Sequence, residues 1–305
     1  MIWLLLFLAA LIAIPLVNEY NRRVMDDAVR GKAPGKFATL PKGVTHYSWY
    51  GPARGPVVIC VHGLTTPCFV WRGMIKGLAL LGFRVLIYDL YGRGYSDRPR
   101  GRQDAAFFLR QLADLMTHQE VRGTVTLIGY SMGGAIATCF AAAHPERVRQ
   151  LILLAPAGMQ HAVSRQIAFL RDWRGIGDWL MLAFYPRAHR KGIASEAHLA
   201  SSVLNIGDLQ EAELDFKGFV PAVLSSLRGI LSRELKAEHQ QIAAAGIPTI
   251  AIWGRDDTVI PLSALGTLTE WNRNVQQEVI DGAGHGLTYT HTDKLIDFLA
   301  LRLIR

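Results

Sequence analysis

Beyond about residue 45 the chain alternates between two patterns. Short runs rich in β-branched and aromatic residues read as strands: THYSWY from Thr45, VVICV from Val57, RVLIYDL from Arg84, TVTLIGY from Thr124, RQLILLA from Arg149, PTIAIWG from Pro248 and VQQEVI from Val275. Residues 71–81, 105–119 and 134–143 lie between them and carry helical spacing. Most of the strands are apolar on both faces, as parallel strands must be when helices cover both sides of the sheet. The predicted class is therefore α/β with a mostly parallel sheet. In such sheets ligands bind just past the carboxyl ends of the strands, so chemistry is sought in the residues that follow each run.

Two segments stand outside the alternation. Residues 1–17, MIWLLLFLAALIAIPLV, form an uninterrupted apolar run, with Tyr20 and then Arg22 and Arg23 close behind. As a helix of about 1.5 Å per residue, residues 1–20 just reach across a bilayer core. No basic stretch precedes the run and no small-x-small cleavage site follows it, so an uncleaved anchor is favoured over a secretory signal or a helix packed on the protein. Arg22, Arg23, Arg30, Lys32 and Lys36 all follow the segment, which places the globular part on the cytoplasmic side by the positive-inside rule. Residues 21–44, dense in Gly and Pro from Gly31 onward, are expected to be a linker and lead-in. The second segment, residues 159–246, is far too long for a loop and contains helical patterns in RQIAFLRDW, DWLMLAFY and VPAVLSSLRGILSREL.

Composition narrows the classes further. The formal net charge of +8 invites nucleic acid, yet the basic residues are dispersed and no nucleic-acid-binding motif is visible. A surface near anionic lipid accounts for the charge more simply. Three cysteines, Cys60, Cys68 and Cys139, are too few and too irregularly spaced for a disulfide framework or a zinc site.

The strongest chemical signal is Gly129-Tyr130-Ser131-Met132-Gly133, after the strand TVTLI and before a small-residue helix. In G-x-S-x-G the serine sits on a sharp strand-to-helix turn, where backbones approach so closely that only glycine fits on either side. The helix that follows aims its first amides at the serine, so the Met132 N–H is a natural donor to an oxyanion.

This elbow resembles that of the α/β-hydrolase superfamily, and the resemblance covers essentially residues 45–305. His62-Gly63 after VVICV is similar to that family's oxyanion loop, which implies Leu64 N–H as the second donor and a structural role for His62. Gly254-Arg255-Asp256-Asp257, followed by an apolar residue and Pro261, has spacing that selects Asp257 over Asp256 as the acid. Gly284-His285-Gly286 resembles the catalytic histidine loop, with His291 as the fallback. The order Ser131, Asp257, His285 is the family's own. Asp89 to Asp97 is similar to its D-x-x-G-x-G-x-S motif, a structural loop. The resemblance further implies residues 45–158 and 247–305 as the core and residues 159–246 as a helical cap over the nucleophile. In that cap Trp173, Trp179, Leu182, Phe184 and Phe219 could line an acyl pocket, but apolar residues at helical spacing more often form ordinary core, and none is assigned to the substrate. The implied activity is that of a serine esterase or lipase-like hydrolase on a small-molecule ester or lipid, such as a monoacylglycerol, with no metal or cofactor needed. Thioester, amide or carbon–carbon bond hydrolysis, or ligand sensing without turnover, are alternatives that the fold alone does not separate.

Overall fold

The computed structural model describes residues 1–159 and 165–304. Its centre is an eight-stranded sheet: β1 (Lys36–Leu40), β2 (Gly43–Tyr50), β3 (Val57–Val61), β4 (Arg84–Tyr88), β5 (Val125–Tyr130), β6 (Val148–Leu154), β7 (Thr249–Gly254) and β8 (Gln276–Ile280). The spatial order is β1-β2-β4-β3-β5-β6-β7-β8. Both pairings of β2 are antiparallel, and all those from β4 through β8 are parallel.

Strand β1 lies where the sequence predicts a linker. KFATL alternates outward with inward positions, burying Ala38 and Leu40, and the two-residue turn at Pro41 and Lys42 folds it back onto β2. Pairing rescues a stretch whose neighbouring Gly and Pro read as loop.

Alternation along the strands feeds two apolar layers. Ile59 and Leu86 face one layer, where helices α4 (Ala105–His118) and α5 (Met132–Ala143) contribute Phe108, Leu112, Ile136 and Phe140. Val58, Cys60 and Ile87 face the other, filled by Met74 and Leu78 of α3 (Arg72–Leu80) and by Leu295 and Leu299 of α13 (Thr292–Ala300). Each fully buried aliphatic or aromatic side chain contributes about 1.5–3 kcal/mol, so these layers are what hold the strand ends rigidly in place.

At the N-terminus α1 (Ile2–Tyr20) is 19 residues long, apolar enough to cross a membrane and mostly exposed, and a short α2 (Asp27–Arg30) follows it. Between β6 and β7 come α6 (Arg165–Asp172), α7 (Ile176–Glu196), α8 (Ile206–Ala212), α9 (Phe219–Arg228) and α10 (Lys236–Ala244). Residues 160–164 of the predicted cap lie outside the described residues. Met181, Leu214, Phe219, Val220, Val223 and Leu224 give the inserted helices a small core of their own. The remaining helices, α11 (Ser263–Trp271) and α12 (Leu287–Thr290), flank β8.

Candidate functional site

Four strand ends meet under the inserted helices. At the end of β5, Ser131 has φ 53° and ψ −118°, a conformation that costs a non-glycine residue about 1–3 kcal/mol. The surroundings hold it there: its N–H donates to the Leu154 carbonyl at 2.9 Å, and its own carbonyl accepts from Gly134 at 2.9 Å and Ala157 at 3.0 Å. A Cβ at Gly133 would stand 2.0 Å from the Val61 carbonyl oxygen, and one at Gly129 2.4 Å from that of Gly133. Both glycines are therefore required by contact with backbone that cannot yield.

The loop after β3 runs against this turn, with the Gly63 Cα facing the Ser131 Cβ. His62, fully buried, shapes the loop. Its Nδ1 bonds the Gly63 carbonyl at 2.8 Å and its Nε2 accepts from the Leu90 N–H at 2.8 Å, which fixes a neutral ring. Burial pushes its pKa down to about 4, so the ring stays neutral at any ordinary pH. Among the described residues neither the Leu64 amide nor the Met132 amide donates to a protein acceptor; Met132 opens α5, where no intrahelical acceptor exists.

After β7, Asp257 is buried, and its Oδ1 accepts from the amides of Val259 and Ile260, each at 2.8 Å. Its Oδ2 lies 2.8 Å from His285 Nδ1, and His285 Nε2 lies 2.9 Å from Ser131 Oγ. Tyr130 O–H donates to the His285 carbonyl at 3.0 Å, and its ring centroid lies 5.3 Å from the imidazole, which sets the height of the histidine loop. Asp256 points to solvent while its amide braces the turn on the Ala283 carbonyl. His291 bonds Thr290 Oγ1 at 2.9 Å instead. The structure thus brings Ser131, Asp257 and His285 into one hydrogen-bonded line and leaves Asp256 and His291 out of it.

Above the line is a cavity of about 950 Å³, bounded by Leu64, Ser131 and His285 below and by α6 and α7 above. Its polar wall includes Glu196, which accepts from Tyr289 O–H at 3.0 Å. None of Trp173, Trp179, Leu182, Phe184 and Phe219 lines it. Phe219 belongs to the core of the inserted helices, whereas Trp173 and Phe184 face outward.

Arg93 was not singled out from sequence. Completely buried, it spends all five N–H donors: Nε on the Leu64 carbonyl at 3.0 Å, the Nη groups on the Tyr91 carbonyl at 3.0 Å, Gln103 Oε1, the Ala222 carbonyl at 3.2 Å and Ser226 Oγ at 2.8 Å. It joins the loop beside Ser131 to α9. The only sequence signal was a long charged side chain between two glycines, Gly92 and Gly94, in a turn that should have no room for one.

His46, Cys68 and Asp89 form a second, buried cluster. His46 Nδ1 lies 2.7 Å from Asp89 Oδ2, and Nε2 bonds the Pro34 carbonyl. Both ring nitrogens face acceptors, an arrangement that favours the protonated ring over one with a lone pair to offer a metal. Burial alone would lower the His46 pKa, but the Asp89 carboxylate and the Pro34 carbonyl outweigh it and raise the value. Asp89 is likewise penalised by burial, yet His46, His62 and the Cys68 amide hold its carboxyl well below the usual range.

A serine on a backward turn after the central strand, a histidine after the last one and an acid after β7 form a pattern that comparison with known proteins resolves. The family described as alpha/beta hydrolase fold matches residues 56–292. The chain belongs to the α/β-hydrolase fold family. Among curated members, a pimeloyl-[acyl-carrier protein] methyl ester esterase from Vibrio campbellii is 26% identical over 250 residues, covering 79% of this chain and 92% of that protein. The monoacylglycerol lipase of Homo sapiens is 25% identical over 272 residues, covering 83% and 78%. A solved α/β-hydrolase structure, a thermophilic esterase from Thermogutta terrifontis, superposes with a TM-score of 0.70 at 20% identity over 88% of this chain and 97% of its own. That likeness establishes the shared fold.

Proposed function

We propose that this chain is a serine hydrolase that cleaves carboxylic esters through an acyl-enzyme on Ser131. The observation that carries the reading is the Asp257–His285–Ser131 line, with its two contacts of 2.8 and 2.9 Å. His285 Nδ1–H donates to Asp257, which leaves the Nε2 lone pair directed at the Ser131 hydroxyl. As Oγ bonds the ester carbonyl carbon, its proton passes to Nε2, and the carbonyl oxygen becomes an oxyanion facing the Leu64 and Met132 amides. Collapse expels the alcohol, which takes the proton from His285. A water activated by the same Nε2 then releases the acid and restores Ser131. The reading calls for no metal or organic cofactor.

Residues 45–158 and 247–305 act as the catalytic core and residues 159–246 as its cap. The substrate class is a lipid-like or monoacylglycerol-type ester. A cavity of about 950 Å³ supports it, as do the lipase and esterase among the relatives. We further propose that α1 is a membrane anchor with the globular part on the cytoplasmic side, supported by its length, its exposed apolar surface and the basic residues after it. Fluorophosphonate should label the wild type and not Ser131→Ala, and p-nitrophenyl esters of graded chain length should show multiple turnover. Labelling without turnover on any ester would leave a ligand sensor instead.

A further inference from the structure

The N-terminal helix does not stand free of the cap. Its end is tied to residues 214–218: Arg22 donates to the Leu214 carbonyl, Arg23 N–H to Asp215 at 3.0 Å, Lys217 N–H to Arg23 at 2.9 Å and Gly218 N–H to Glu19 Oε1 at 2.6 Å. Lys217 also stands 4.0 Å over the Tyr20 ring. Farther along α1, Trp179 Nε1–H donates to the Ile12 carbonyl at 2.9 Å. Ile12 precedes Tyr20 by eight residues, about 12 Å along a helix axis. If Tyr20 sits at the membrane interface, the start of α7 lies on the hydrocarbon side of it.

Helix α7 is built for that position. At 3.6 residues per turn, Tyr185, Ala188, His189, Gly192 and Glu196 share the face that walls the cavity. Ile176, Trp179, Leu180 and Phe184 lie on the opposite face, followed one to two turns later by Arg187 and Lys191, both exposed. Ile176 is 53% and Phe184 55% exposed, and at the α6–α7 corner Trp173 is 56% exposed and stacks on Phe169 at 5.1 Å. Trp179 meets Phe184 edge-on at 6.2 Å, and this second aromatic pair adjoins α1 through the Trp179 bond to Ile12. The acids nearby are neutralised, Asp178 by Arg228 at 2.9 Å and Asp172 by Arg171 at 2.7 Å. Aromatic and aliphatic side chains followed by bases suit an interface between acyl chains and anionic headgroups.

We infer that the α6–α7 corner, with Phe169, Trp173, Ile176 and Phe184 outermost, is immersed in the same membrane leaflet that α1 enters. Among the described residues α6 and α7 then stand between the cavity over Ser131 and the lipid. An amphiphilic ester reaches it from the bilayer and not through water. The inference rests on the anchor reading of α1 and adds a second, independent lipid contact.

The test uses the full chain in vesicles of phosphatidylcholine and phosphatidylglycerol. Cys60, Cys68 and Cys139 are all buried, so an environment-sensitive fluorophore can be placed on Ile176→Cys, on Phe7→Cys in α1, and on Arg122→Cys at the far, amino-terminal end of the sheet. The labels at 176 and 7 should shift to the blue and be quenched by lipid-borne nitroxide, and the label at 122 should do neither. Trp173→Glu should hydrolyse monoacylglycerol in vesicles about tenfold more slowly, the factor expected from withdrawing one large apolar side chain from lipid, while retaining turnover of a soluble ester. A label at 176 that stays in water while the one at 7 reports lipid overturns the inference and spares the anchor. Water at both positions overturns both. Protection of 176 without lipid, rising with protein concentration, assigns the patch to a second copy and also overturns it. Wild-type protein inert toward every ester bears on the proposed chemistry alone.

Discussion

Among the described residues two aspartate–histidine pairs have nearly the same length, and they do opposite things. Asp257 holds His285 Nδ1 at 2.8 Å, and Asp89 holds His46 Nδ1 at 2.7 Å. The difference lies at the other nitrogen. His285 Nε2 meets a hydroxyl that can give up a proton, whereas His46 Nε2 meets the Pro34 carbonyl, which can only accept one. The first ring can keep a lone pair for the hydroxyl proton, the second satisfies both of its acceptors only when protonated, and the cavity of about 950 Å³ lies beside the first. A carboxylate on an imidazole is therefore not in itself a sign of catalysis; the partner on the far side of the ring decides.

Substitutions can break this contrast. Ser131→Ala or His285→Ala should lower ester turnover by about 10⁵-fold or more with the melting temperature unchanged, measured by steady-state kinetics beside calorimetry. Asp257→Asn should cost about 10⁴-fold, because the amide donates where a carboxylate accepts and turns the ring to the wrong tautomer. His46→Ala should cost about 3–5 kcal/mol in a denaturant titration, since it strands a buried carboxylate, while turnover per folded molecule stays close to wild type. If instead its stability were intact and its turnover gone, the two pairs would have exchanged roles.

A smaller effect separates the pairs by pH. The folded-state pKa of His46 is raised above its ordinary 6.5, so its contribution to stability is complete below that value and declines as pH climbs through the raised one. Asp89 is depressed, so its contribution is present above the ordinary carboxylate pKa and declines only in strong acid. Urea unfolding from about pH 6 to about pH 9 should show wild-type stability falling and His46→Gln staying flatter.

The first pair could be read from the sequence and the second could not. Ser131, Asp257 and His285 each follow the end of a strand within a few residues of a glycine, so local pattern marks the positions where backbone is pinched to present a side chain. His46 sits inside THYSWY, a run that reads as ordinary strand, and its partner is 43 positions away in a loop expected to be merely structural. The sheet order brings them together through the antiparallel β2–β4 pairing, and no periodicity encodes that neighbour. Strand β1 was hidden for a related reason: its pairing partner, not its own composition, makes KFATL a strand. The outward aromatics of α7 were illegible for the opposite reason. Its apolar residues occur on both faces, so spacing did not show which side meets the cavity.

The guanidinium at position 93 sets a limit on how this enzyme can breathe. Lifting α9 would strand two of its donors in a dry interior, each worth about 1–3 kcal/mol when charged and unpaired, and would tug on the carbonyl of Leu64 in the loop beside Ser131. That side of the roof is bolted to the floor. The corner where α6 turns into α7 hangs on the same helix through Arg228, which donates to the Leu170 and Arg171 carbonyls and to Asp178, so a bulky guest meets a roof whose helices are fastened to one another.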